Sequence, residues 1–187
     1  GIDRLRWVGT SMGGLIGVTL AAGRLKGRIT HLVINDIGPD IPEAGADRIA
    51  SYVGNPPVYD TVAELEAWLR RNYAPFGENS DAFWRRMADT SARRTDGGKV
   101  TVHYDPHIVS QFTHHKGDLD VWDAYDAIAA RTLLLRGETS DVLSRAVAEK
   151  MTQRGPKPRL VEFPGIGHAP TLASEAEIAL LREFLAA

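Results

Sequence analysis

The chain has 187 residues, 43% of them hydrophobic, with 22 basic against 24 acidic side chains and a formal net charge of −2; this balance fits one globular domain and excludes a general electrostatic attraction to nucleic acid or an anionic membrane. It contains no cysteine, which excludes disulfides, thiol nucleophiles and thiolate metal sites and leaves the chemistry to Ser, His, Asp and Glu. No apolar run approaches the roughly 20 residues that cross a bilayer, and no basic-then-apolar leader opens the chain, so a cytoplasmic protein acting on a small molecule is expected.

The first element is the most informative. Leu5, Trp7 and Val8 lead into Gly9-Thr10-Ser11-Met12-Gly13, and a segment of small and apolar residues follows at once. That order reads as strand, sharp turn and helix. A serine at the tip of such a turn has a strained backbone, and the residues two before and two after it approach closely, so both are expected to be glycine. The start of the next helix offers free N–H groups and a positive dipole end to a developing oxyanion, and Met12 would supply one of them. Gly13, Gly14, Gly17 and Ala21 would let that helix lie close against a sheet.

Three further strands are predicted. Thr30 to Ile37 is a continuous apolar run closed by Gly38-Pro39, Arg131 to Gly137 is another, and Arg159 to Gly165 a third, as buried parallel strands require. A helix from Ser144 to Gln153 lies between the last two. The closing helix opens on Ser174-x-x-Glu177, a capping box, and carries Ile178, Leu181 and Leu185 on one face.

Residues 39–126 differ in character. Asn55-Pro56-Pro57, Pro75 and Gly97-Gly98 punctuate short helices, one opened by the capping box Thr61-x-x-Glu64 and another over about Ser80 to Arg93, and aromatic residues concentrate there. This segment is expected to be a helical cap over the carboxyl ends of the strands, with 1–38 and 127–187 forming the core.

A nucleophilic serine needs a base, and the base an orienting acid. Asp141 follows the second long strand in Gly137-Glu138-Thr139-Ser140-Asp141, and His168 follows the last in Gly165-Ile166-Gly167-His168-Ala169-Pro170. Both fall in strand-to-helix loops on the same sheet edge as Ser11. The catalytic set read here is therefore Ser11, Asp141 and His168, with Met12 in the oxyanion hole. Asp36, also at a strand end, is the alternative acid. His31, His103 and His107 have no motif around them, and the adjacent His114 and His115 diverge on a helix without carboxylate support, so no metal site is expected. The arginine pairs at 70–71, 85–86 and 93–94 read as solvated helix faces. No glycine-rich phosphate motif is present, and no cofactor is expected.

The elbow, the acid loop and the Gly-His-Ala-Pro loop, in the order Ser, Asp, His, resemble the α/β-hydrolase family, in its serine esterase-like branch. The resemblance implies an α/β fold, a parallel sheet flanked by helices, with the cap inserted between the family's sixth and seventh strands. It implies a serine hydrolase of small carboxylic esters working through an acyl-enzyme, with carbon–carbon bond hydrolase or perhydrolase chemistry as alternatives on the same residues; some members move the acid one strand earlier, to the position of Asp36. Family members also carry about four strands before the elbow, with a loop that gives a second oxyanion donor, and this chain opens on Gly1 just ahead of the elbow strand. A C-terminal portion of a longer hydrolase is therefore expected, incomplete at its oxyanion hole, and pairing through an open sheet edge with an N-terminal segment or a second copy of itself.

Overall fold

The computed structural model describes residues 1–114 and 120–187. Strand β1 (Leu5–Thr10) runs into helix α1 (Met12–Ala22), and β2 (Ile29–Asn35) follows. After β2 come α2 (Glu43–Val53), α3 (Val62–Asn72) and α4 (Asp81–Ser91), a hairpin of β3 (Ala92–Arg94) and β4 (Val100–Val102), and the short helices α5 (Ser110–Thr113) and α6 (Trp122–Asp126). The chain closes with β5 (Arg131–Gly137), α7 (Arg145–Gln153), β6 (Arg159–Phe163) and α8 (Glu175–Ala186). No helix among the described residues is long and apolar enough to cross a membrane.

The four core strands form one parallel sheet in the order β1-β2-β5-β6. The central runs are apolar throughout because both faces are covered. Leu32, Ile34 and Leu134 point to one face, where Val18 and Ala21 of α1, Tyr125 of α6 and Met151 of α7 pack on them. Val33, Leu133 and Leu135 point to the other, against Leu180, Leu181, Phe184 and Leu185 of α8. This is the period-2 alternation of a strand with apolar residues on both sides. β1 lies at one edge of the sheet, with its own Val8 exposed.

Both capping boxes form: Thr61 accepts from the Glu64 N–H and Ser174 from the Glu177 N–H, while each glutamate reaches back to its cap backbone. The helix expected over Ser80 to Arg93 stops at Ser91, since Ala92 to Arg94 pair in register with Val100 to Val102 around the Gly97-Gly98 turn. Within the segment between β2 and β5, a separate apolar cluster is built from Leu65, Leu69, Trp84, Ala88, Val100 and Val102. Ile41 and Ile49 of the α2 region, with Trp122 and Tyr125 of α6, pack instead on the sheet. The two ends of the segment meet where the Val121 N–H donates to the Pro39 carbonyl at 3.0 Å. His115, one half of the adjacent histidine pair, lies outside the described residues.

Candidate active site

Ser11 occupies the turn between β1 and α1 with φ 52° and ψ −120°, a conformation that non-glycine residues rarely hold. The crowding around it falls on one glycine. A Cβ at Gly9 would lie 2.2 Å from the Gly13 carbonyl oxygen, whereas a Cβ at Gly13 would meet nothing within 4 Å. The expectation of mutual crowding thus holds only for Gly9: it needs to be glycine because the Gly13 backbone folds over it, and the Gly13 carbonyl is fixed there by the Trp7 indole, which donates to it at 2.9 Å. Met12 is the first residue of α1, so by position its N–H has no acceptor within the helix.

His168 is brought to Ser11 by the loop after β6. Its Nε2 lies 3.0 Å from the Ser11 Oγ, and its Nδ1 lies 2.8 Å from Asp36 Oδ2. Asp36 is fully buried at the end of β2, with φ 55°. Its two oxygens accept two further bonds: Oδ1 from the Gly137 N–H at 2.8 Å, and Oδ2 from the Ser140 hydroxyl at 2.7 Å. A buried carboxylate is tolerated only with such donors around it. The loops of β5 and β6 press together here, since a Cβ at Gly137 would sit 2.2 Å from the Gly167 carbonyl oxygen.

The acid facing His168 is therefore Asp36 and not Asp141. Ser140 turns inward to Asp36 and to the N–H groups of Val142 and Leu143, and this aims Asp141, the next residue, away. Its carboxylate is held by Arg48 of α2, with Nε to Oδ2 at 2.5 Å and Nη2 to Oδ1 at 2.9 Å. The Arg48 pairing holds the Asp141 carboxyl below the usual range. Arg48 was not among the residues singled out from the sequence; its one-helical-turn spacing to Tyr52, which meets its guanidinium, is the signal it carried.

One further residue ties the site together. The Asn35 amide donates to the Thr10 hydroxyl and to the Pro170 carbonyl, each at 2.9 Å. It thereby joins the residue before Ser11 to the loop that carries His168. His31, His103 and His107 lie elsewhere: His31 packs edge-on to Phe184, His103 bonds to the Ser91 carbonyl and His107 pairs with Asp105. Arg70 reaches Glu66 and Asp81, while Arg71, Arg85, Arg86, Arg93 and Arg94 are exposed. Among the described residues no three His, Asp or Glu side chains gather as metal ligands.

Beside Ser11 a small cavity of about 30 Å³ is walled mainly by apolar side chains, including Met12, Ile37, Ile49 and Val142. On the opposite flank Thr10, Phe83, Met87 and Pro170 border a cleft of about 260 Å³. A larger cleft of about 640 Å³, between α4 and the loops after β6, has none of Ser11, His168 and Asp36 in its walls.

Comparison with known proteins agrees with this architecture. Residues 2–180 match the model of the alpha/beta hydrolase family. The chain is 35% identical to the 3-hydroxybutyrate-oligomer hydrolase of Cupriavidus necator, over 98% of this chain and 65% of that protein. A crystal structure of an alpha/beta hydrolase from Novosphingobium aromaticivorans superposes with a TM-score of 0.86 at 36% identity, covering 100% of this chain and 66% of that one. E-2-(acetamidomethylene)succinate hydrolase, at 24% identity and a TM-score of 0.83 over 99% of this chain and 68% of its own, shares the fold. The chain spans about two thirds of the length of these relatives. Sheet, elbow and family match converge, and the chain belongs to the alpha/beta hydrolase family.

Proposed function

We propose that this chain is a serine hydrolase of small carboxylic esters that works through an acyl-enzyme, with Ser11 as nucleophile, His168 as general base and Asp36 as the acid that orients it. The observation that carries this reading is the unbroken line from Asp36 through both nitrogens of His168 to the Ser11 hydroxyl. His168 Nε2 takes the Ser11 proton as Oγ attacks the ester carbonyl. The oxyanion of the tetrahedral intermediate is met by the Met12 N–H at the head of α1. His168 then returns the proton to the departing alkoxide, and a water, deprotonated by the same nitrogen, releases the acid from Ser11. Asp36 fixes the tautomer with the Nδ1 proton and stabilises the imidazolium.

In this reading the segment 39–126 is a cap that shapes the substrate site. The Cupriavidus relative, a 3-hydroxybutyrate-oligomer hydrolase, makes short oligomers of 3-hydroxybutyrate the first substrates to try. The test is hydrolysis of p-nitrophenyl butyrate and of the 3-hydroxybutyrate dimer by the wild type and by Ser11→Ala. A loss of roughly 10⁴- to 10⁶-fold in the variant supports the assignment; equal turnover rejects it.

The edge position of β1 favours a second proposal, that a further strand pairs there. Ile2, Val8, Met12 and Ile16 are exposed on or near this edge, and an uncovered apolar strand edge is a template for pairing. Native mass measurement tests self-association through it: a dimer that Val8→Lys breaks supports self-pairing, and a monomer at high concentration rejects it.

A further inference from the structure

Arg48 has work left over after its contact with Asp141. The carboxylate of Asp141 takes Nε and Nη2, which leaves Nη1 outside that pairing, and the Tyr52 phenol also meets the guanidinium. The pair adjoins the walls of the site. Ile49 and Val142, the chain neighbours of Arg48 and Asp141, wall the small apolar cavity that opens at Ser11. A Cβ at Gly45 would lie 2.3 Å from the Asp141 carbonyl oxygen, so α2 is seated directly on this loop. The pair is only partly covered, with about a third of each side chain exposed, and remains within reach of a ligand.

A second observation points the same way. The Tyr104 hydroxyl is shielded from solvent and has no partner among the described residues. It interacts electrostatically with the Tyr52 phenol, which in turn meets Arg48. The orphaned Tyr104 hydroxyl is a donor in need of an acceptor, and a Tyr52 phenol that accepts from Arg48 still has its own O–H to give.

Resting on the hydrolase reading above, we propose that this cluster is a carboxylate subsite: Arg48 Nη1, helped by Tyr52 and Tyr104, binds the free acid end of a hydroxy-acid ester whose scissile carbonyl lies at Ser11. The apolar crevice walled by Ile49 and Val142 takes the short alkyl part between the two ends. Asp141 keeps its grip on the other edge of the guanidinium and so holds the planar fork in position. Because Asp141 already neutralises Arg48, the substrate anion is drawn mainly by directed hydrogen bonds. Asp141 even opposes it as a like charge.

That opposition gives a test with two signs. The readout is the ratio of kcat/KM for the 3-hydroxybutyrate dimer to that for its methyl ester, which cancels general damage to the protein. The wild type should prefer the acid. Arg48→Gln should cut the ratio by about 10- to 100-fold, the worth of one charged hydrogen-bonded contact. Asp141→Asn should raise it, since the arginine loses its internal counter-charge. If both variants lower activity on acid and ester alike, the pair is a structural link between α2 and the β5 loop and the subsite is rejected. Binding of 3-hydroxybutyrate itself, measured by calorimetry, separates this proposal from the one it rests on. Binding that Arg48→Gln abolishes in a protein without esterase activity would leave the subsite standing and reject the hydrolase reading; turnover without any preference for the acid would do the opposite.

Discussion

Asp36 and His168, 132 residues apart in the chain, meet at 2.8 Å in the interior of the protein. The contact depends on β2 and β6 running parallel on either side of β5 and ending toward the same sheet edge, where the end of β5 and its loop supply the two other bonds to the aspartate. Which of the two carboxylates faces the histidine is thus set by the strand ends and by the inward turn of Ser140.

Exchanging each acid for its amide should separate them. Asp36→Asn should lower kcat by roughly 10⁴-fold, as expected when the tautomer of the base is no longer fixed. Asp141→Asn should cost far less on a neutral ester. Steady-state kinetics on p-nitrophenyl butyrate, with circular dichroism to confirm folding, checks the pair; a larger loss for Asp141→Asn would return the role to that residue.

Gly9→Ala should be poorly tolerated. The added methyl has to displace backbone at 2.2 Å, where no flexible side chain can yield, and overpacking of this kind costs about 1–3 kcal/mol or more. Thermal unfolding should show a clear drop in Tm, and Gly13→Ala, with open space around its Cβ position, should show a smaller one.

Asn35 is predicted to act on rate more than on affinity. Replacing it with alanine removes both clamps, to Thr10 and to Pro170, and frees the serine and histidine loops to drift relative to each other. A loss of roughly 10- to 100-fold in kcat with little change in KM is expected, since small misplacements of reacting groups carry such penalties. An equal loss in Tm and none in kcat would make Asn35 a structural residue only.

The Arg48–Asp141 pair predicts an acid-side change in stability. The Asp141 carboxyl is held below its ordinary value, first by its hydrogen bond to Arg48, so the pair stabilises the fold above the unfolded-state value of roughly 3.9 and that contribution fades as pH falls through the lower folded-state value. The Tm difference between wild type and Arg48→Gln should therefore be present at neutral pH and shrink in strongly acidic buffer. A constant difference would show that Arg48 acts through packing.

Much of the architecture was legible because its causes are local. Glycine and serine at the elbow, apolar runs with turn signals and two capping boxes each declare themselves within a few residues, and each is found in place. The carboxylate facing His168 was harder, because Asp36 and Asp141 satisfy the same local description: a carboxylate just beyond a buried strand. Only the packing of loops distant in sequence tells them apart, through Ser140, Gly137 and the reach of Arg48 from α2. The hairpin at Ala92 to Val102 was missed for a similar reason. Its strands are three residues long, too short for a period-2 pattern to stand out from the end of the preceding helix.

The cluster of Leu65, Leu69, Trp84, Ala88, Val100 and Val102 is drawn wholly from one stretch of chain, with Tyr59 and Tyr104 among the side chains packed at its margin. A stretch with its own apolar nucleus, joined to the sheet at neighbouring points, can be cut out and transplanted. On the proposed reading of this stretch as a cap, exchanging it with the matching stretch of a relative is expected to move substrate preference while Ser11, His168 and Asp36 stay where they are.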